Sequence, residues 1–66
     1  MNKTDINALE TRFKATFLMA HELEIDKDNI NTGFDLFVSA FDQKEFETAK
    51  KVLDLTDSYI IDELES

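Results

Sequence analysis

An amphipathic stretch of the chain covers residues 4–23 and reads TDINALETRFKATFLMAHEL. Its apolar residues recur at steps of three and four, which is the spacing of one face of an α-helix. These residues are Ile6, Leu9, Phe13, Phe17, Ala20 and Leu23. Thr4 is a good helix N-cap, and Asp5 carries the charge that the helix dipole favours near that terminus. The stretch predicts a helix over residues 4–23.

The next segment, residues 24–32, is polar and reads EIDKDNINT. Asp and Asn side chains hydrogen-bond to nearby backbone groups and therefore favour turns over helix interiors. We expect an acidic loop here, with Ile25 and Ile30 holding it against the core.

Two further helices are predicted after this loop. Residues 33–41, GFDLFVSAF, are apolar around most of the circumference of a helix. This pattern indicates a short, buried middle helix, which Thr32 and Asp35 begin as an approximate capping box. Asp42 and Glu45 form a second such box, which predicts a helix over residues 43–64. Its core stripe is Phe46, Ala49, Leu53, Thr56, Ile60 and Leu64.

Together these segments predict one all-α domain over residues 1–66, a small three-helix bundle or helical hairpin with a short middle helix. Residues 40–53, AFDQKEFETAKKVL, resemble the inter-helix turn and second helix of a tetratricopeptide-type repeat. The resemblance covers under a quarter of the chain and implies only a helical hairpin that turns near Asp42.

Composition and charge narrow the class of function. The chain has no cysteine, so it has no disulfide framework or thiolate metal site. No stretch resembles a secretion signal or a membrane span, and we expect a cytoplasmic location and no membrane contact. The net charge is −8, with +1 over residues 1–21 and −9 over residues 22–66. Such a field repels nucleic acid and attracts a basic protein surface.

Residues that could carry chemistry are few. His21 and Glu24 supply only two candidate zinc ligands, whereas a zinc site needs three or four. Asp26, Asp28 and Asn31 do not match the spacing of a calcium-binding loop. No nucleophile–base set or phosphate-binding glycine loop is present. We therefore expect no enzyme activity, no cofactor and no metal site, and we rank an ion-binding regulator that uses residues 22–28 low.

The carboxylates near the end of the third helix are the first candidate partner-binding surface. After Lys51 the helix has no basic residue, although carboxylates oppose the dipole at a helix C-terminus. The candidate residues are Glu47, Asp54, Asp57, Asp62, Glu63 and Glu65. The alternative is a solvated terminus whose charge serves only solubility.

Apolar residues outside the core stripes form a second candidate surface. They are Val52, Leu55, Tyr59, Met19, Leu18 and Ile61. A three-helix monomer would not bury all of them neatly, and contiguous exposed apolar surface marks interfaces. A symmetric homodimer is the favoured form, and the alternative is a wide core-facing arc.

The leading hypothesis is a small acidic regulator or inhibitor that binds a basic site on a partner protein. In its sharper form the protein mimics nucleic acid, with carboxylates in place of phosphates. Compact acidic proteins of phage and mobile-element origin have a similar composition. Reversing the charges of Asp54, Asp57 and Asp62 together should then weaken binding. The alternative is an oligomeric helical module or subunit whose charge only serves solubility.

Overall fold

The computed structural model describes all of residues 1–66. The chain forms three α-helices and no strands: α1 (Lys3–Glu22), α2 (Asp28–Asp42) and α3 (Phe46–Glu65). The prediction of an all-α, three-helix fold is confirmed. The helices form a compact bundle that measures 36 × 18 × 15 Å along its principal axes.

Helix α1 begins two residues earlier than its capping pattern suggested. The N-cap is Asn2, not Thr4, and its side chain accepts a hydrogen bond of 2.8 Å from the backbone N–H of Asp5. An asparagine cap satisfies a backbone donor that has no partner inside the helix. Asn and Thr are both good caps, so residue type alone does not distinguish Asn2 from Thr4 as the start of the helix.

Helix α2 is longer than predicted, and the acidic loop is correspondingly shorter. Residues 28–32 were expected in the loop, but they form the first turns of a helix of 15 residues. Ile30 is fully buried and extends the stripe of Phe34 and Phe37 by one turn toward the N-terminus. Asp28 in the first turn complements the helix dipole. Burial of Ile30 and this charge therefore outweigh the turn preference of the surrounding Asn and Asp residues.

Both interhelical turns have the same backbone geometry, the Schellman motif. After α1, Glu24 adopts φ 57°, and Ile25 donates its N–H to the carbonyl of Ala20. After α2, Lys44 adopts φ 62°, and Glu45 donates to the carbonyl of Ala40. Each motif satisfies carbonyls that the end of the helix leaves without a partner.

The second of these turns corrects the predicted start of the third helix. Asp42 is the last residue of α2, not an N-cap, and α3 begins at Phe46. Glu45 occupies the N-cap position without a side-chain hydrogen bond. The spacing of Asp42 and Glu45 resembled a capping box, but both residues belong to the end of α2 and its turn.

The core consists of two buried groups of side chains that lie one above the other along the bundle. One group is Leu9, Phe37, Ala40, Ala49 and Leu53. The other is Ala20, Ile30, Phe34 and Ile60. The predicted stripe of α3 is buried from Ala49 to Ile60, whereas Leu64 is exposed, as are Phe17 and Leu23 of α1. Leu23 and Leu64 end their predicted stripes beyond the core, whereas Phe17 is exposed within its stripe, between Phe13 and the buried Ala20.

Aromatic contacts attach α1 to α2. All six phenylalanines form one connected series across the three helices. Its central contact stacks Phe13 on Phe37, with ring centroids 4.2 Å apart and planes 3° from parallel. Phe17 meets Phe34 edge to face at 5.2 Å. Such pairs contribute about 0.5–1.5 kcal/mol beyond the burial of their area.

Helices α2 and α3 approach each other most closely where Gly33 faces Thr56. A Cβ atom on Gly33 would lie only 2.1 Å from Oγ1 of Thr56. That hydroxyl donates to the carbonyl of Val52 at 2.8 Å, which satisfies it within the buried contact. The prediction that α2 is buried around its circumference is wrong in part, because Leu36 and Val38 are exposed.

Candidate functional site

The up-down-up order of the helices brings two acidic segments to the same end of the bundle. The turn between α1 and α2 lies beside the C-terminus of α3, where Nζ of Lys27 is 4.0 Å from Oε2 of Glu63. All seven carboxylates at this end are exposed. We call this group the acidic end: Glu22, Glu24, Asp26, Asp28, Asp62, Glu63 and Glu65.

Few of these charges are neutralised within the molecule. Four of the fifteen carboxylates of the chain form ion pairs, and Glu63 is the only one of the four at the acidic end. The last turn of α3 contains no basic residue, so its carboxylates face the negative end of the helix dipole. The acidic end is a region of uncompensated negative charge.

The carboxylates of Asp54 and Asp57 have a different role, because one arginine binds both. Nη2 of Arg12 lies 2.8 Å from Oδ1 of Asp54 and 2.5 Å from Oδ2 of Asp57. The contact joins α1 to α3. Because the Arg12 side chain is 37% exposed, we expect the contact to stabilise the fold by about 1 kcal/mol or less.

The environment of Arg12 keeps it charged. Partial burial alone would lower its pKa, but the hydrogen bonds and charges of Asp57 and Asp54 outweigh that effect and raise the pKa above its ordinary value. A cation whose pKa is raised on folding contributes stability that is lost only as the pH rises through the folded value. Arg12 therefore stays protonated around neutral pH, and its contribution to the stability of the fold does not vary with pH there.

Three residues of the predicted apolar patch line one open groove between α2 and α3. Val52, Leu55 and Tyr59 form its α3 side, and Leu36 faces them from α2. Gly33 and Thr56 also line it, so the close helix contact underlies the groove. Its volume is about 440 Å³, and Asp28 is its only charged lining residue.

The other three residues of the predicted apolar patch are not part of this groove. Leu18, Met19 and Ile61 are exposed, with Leu18 the most exposed large apolar side chain of the chain. The predicted acidic residues are also divided. Glu47 lies in the first turn of α3, at the opposite end of that helix from Asp62. The structure thus separates each predicted surface into parts.

A second hollow lies between α1 and α3 and has mixed charge. Its volume is about 460 Å³, and its lining includes Asp5, Arg12, Glu47 and Lys50.

No group of three or more His, Asp or Glu side chains is placed to hold a metal ion. None of the three helices combines the length and the hydrophobicity that a membrane-spanning segment requires.

Sequence reasoning missed two parts of these surfaces. The carboxylates of residues 22–28 were treated as an isolated loop, although an up-down-up order of three helices places that loop beside the end of α3. Leu36 was assigned to the interior, because residues 33–41 are apolar around most of the circumference of a helix. In comparisons with known proteins, the chain matches no family model, no curated protein and no solved structure.

Proposed function

We propose that this chain is a small acidic regulator or inhibitor that binds a basic site on a partner protein through its acidic end. The observation that carries the proposal is the convergence of seven exposed carboxylates, from two separate segments, beside a single lysine.

The energetic cost of this arrangement supports a role in binding. Like charges repel each other, and carboxylates at a helix C-terminus oppose the dipole by about 0.3–1 kcal/mol each. A basic surface on a partner would relieve both effects. Complementary charge also steers encounter and raises association rates, and this effect weakens with added salt.

The form of the acidic surface favours docking by one end of the molecule. A mimic of duplex nucleic acid would present carboxylates along the length of the rod. Here Asp54 and Asp57, midway along α3, are bound to Arg12. We therefore propose that the carboxylates of the acidic end replace a local cluster of phosphates at most, and not an extended duplex.

A capture experiment with matched variants tests the proposal. The protein is used to isolate partners from its host, and the captured protein is then purified for titration at several salt concentrations. The test variant is Asp62→Asn with Glu65→Gln at the acidic end. The control is Asp42→Asn with Glu45→Gln, which removes the same charge at the far end of α3, about 30 Å away along a helix of this length.

We expect the dissociation constant of the wild type to rise steeply with salt. The acidic-end variant should bind several-fold more weakly than the control, because each removed charge contacts or steers the partner. Binding that is independent of salt, or equal weakening by both variants, would contradict a role for the acidic end.

A second candidate function is an oligomeric module or subunit whose charge serves solubility. The observation that favours it is the groove in which Val52, Leu55 and Tyr59 lie together. Self-association through that groove brings two molecules of net charge −8 together. It should therefore strengthen with added salt, which is the opposite of the dependence expected for a basic partner. Sedimentation at low and high salt separates the two.

A further inference from the structure

We infer that the groove between α2 and α3 binds an amphipathic helix of the partner protein, with apolar anchor residues along one face and basic residues at one end. This inference rests on the proposed function and names the kind of segment that the partner supplies. The groove adjoins the acidic end and shares Asp28 with it.

The dimensions of the groove match two turns of a helix. Its α3 side runs from Val52 to Tyr59, and its α2 side from Asp28 to Leu36. At 1.5 Å per residue, seven or eight residues span about 11 Å. Apolar anchors spaced i, i+3 or i+4, and i+7 on a bound helix cover the same distance, which is how amphipathic helices occupy hydrophobic grooves.

The lining supplies the apolar contacts that such anchors need. Leu36 and Leu55 expose about half of their surfaces, 53% and 55%, on opposite sides of the groove. Tyr59 is half-buried and combines an apolar ring with a hydroxyl at its edge. Hydrophobic and aromatic side chains predominate in the lining of preformed binding depressions.

The charges at the groove specify the chemistry of the occupant. The lining contains Asp28 and no cation. Asp62 follows Tyr59 by three residues and therefore lies on the same side of α3, at the acidic end of the groove. Lys51 precedes Leu55 by four residues, at the other end. A bound helix is therefore complementary when its basic residues lie beside Asp28 and Asp62.

A second copy of this chain fits the groove less well. Each copy has a net charge of −8, and no helix within it is net positive, because the formal charges sum to 0 over α1, −3 over α2 and −4 over α3. The argument from charge therefore selects a basic segment of another protein.

The single tyrosine provides a local probe of occupancy. The chain contains one tyrosine and no tryptophan, so its tyrosine emission comes from Tyr59 in the groove. The test ligand is a synthetic helix of about five turns, made of Leu, Lys and Ala, with Leu at i, i+3 and i+7 and Lys at one end. A control peptide has the same composition, but its Leu residues are distributed around the helix.

Two leucines of α3 form a matched pair for substitution. Leu55 lies in the groove and Leu64 outside it, and both are 55% exposed. Substituting either by Ser should preserve the fold, which circular dichroism checks. We expect Leu55→Ser to weaken binding of the amphipathic peptide at least about fivefold, as loss of an anchor residue does, and Leu64→Ser to change it less than about twofold.

Each outcome separates this inference from the proposed function. If Leu55→Ser binds the peptide as tightly as Leu64→Ser, or if the control peptide binds equally well, the groove inference is wrong. The proposed function still stands in that case if the Asp62→Asn, Glu65→Gln variant weakens binding. The protein could instead form a homodimer through the groove, which Leu55→Ser would dissociate and Leu64→Ser would not. That result would also overturn the inference that the groove binds a basic helix.

Discussion

Replacing Gly33 by Ala tests the close contact between α2 and α3, because two effects of opposite sign compete. In an exposed helix, Ala is more favourable than Gly by about 1 kcal/mol. At this position, however, the new Cβ would lie 2.1 Å from Oγ1 of Thr56, 3.1 Å from its Cβ and 3.2 Å from its Cγ2. All three distances are shorter than ordinary van der Waals contact, and rotating the Thr56 side chain about χ1 leaves the 3.1 Å contact with its Cβ unchanged.

The helices must therefore move apart, which loosens the packing of Ile30 and Phe37 on either side of Gly33. Overpacking of this kind costs about 1–3 kcal/mol, and a contact of 2.1 Å places the cost at the upper end. After the gain in helix propensity, we expect Gly33→Ala to lower the free energy of unfolding by about 1–2 kcal/mol. For a domain of this size, that corresponds to a fall in Tm of about 4–16 °C.

Urea denaturation followed by circular dichroism measures this change. Thr48→Ala, at an exposed position of α3, is the control for helix propensity alone and should be neutral or stabilising. Thr56→Ala removes two of the three clashing atoms, so the double variant should be more stable than the sum of the single effects by about 1 kcal/mol. If Gly33→Ala is as stable as the wild type, the helices do not approach as closely as described.

Three other substitutions examine features on which the fold depends. Asn2→Ala should destabilise the protein by about 0.5–1 kcal/mol, because the N–H of Asp5 loses its hydrogen-bond acceptor. Amide hydrogen exchange should show that the loss of protection is confined to the start of α1. Lys44→Gly should raise the free energy of unfolding by about 0.5–1 kcal/mol in thermal melts, because glycine adopts a positive φ without steric cost. Arg12→Met should cost about 1 kcal/mol or less, and added salt should reduce the difference from the wild type. A destabilised Lys44→Gly, or a loss from Arg12→Met that salt leaves unchanged, would contradict these explanations.

The fold class and the core of α1 and α3 were predictable because they depend on periodicity. Leu9, Ala20, Ala49, Leu53 and Ile60 all occupy predicted stripes, and all are buried. A step of three or four residues places side chains on one face of a helix whatever the partner is. The apolar periodicity of a helix is a local property, so a single sequence is enough to reveal it.

The helix boundaries were less predictable because they depend on backbone geometry and burial. Both Schellman turns place a charged residue, Glu24 or Lys44, at a positive φ that glycine normally occupies. Without glycine, neither turn carried its usual sequence signal. Asp28 was assigned to a loop because its preference for helix N-termini and its preference for turns are similar. Burial of Ile30 decides between them, and burial depends on contacts from the other helices.

The candidate surfaces were predictable in composition but not in arrangement. The excess of acid after residue 21 was evident, and Val52, Leu55 and Tyr59, three of the six residues of the predicted apolar patch, line one groove. Which residues face them was not evident, since Leu36 belongs to another helix. A helix wheel describes one helix at a time, whereas a groove needs the packing of two.

The ion pairs of Arg12 change how the electrostatic proposal must be tested. Reversing Asp54, Asp57 and Asp62 together is not a direct test of an acidic face, because the first two carboxylates bind Arg12. Lysine at those positions would place like charges beside the guanidinium and push α1 away from α3, so a loss of binding could reflect a loss of structure. Asp62 and Glu65 have no such partner, and neutralising them leaves the bundle intact. The carboxylates that stabilise the fold and those that are free to bind therefore lie in different parts of α3, which is what allows binding to be weakened without unfolding the protein.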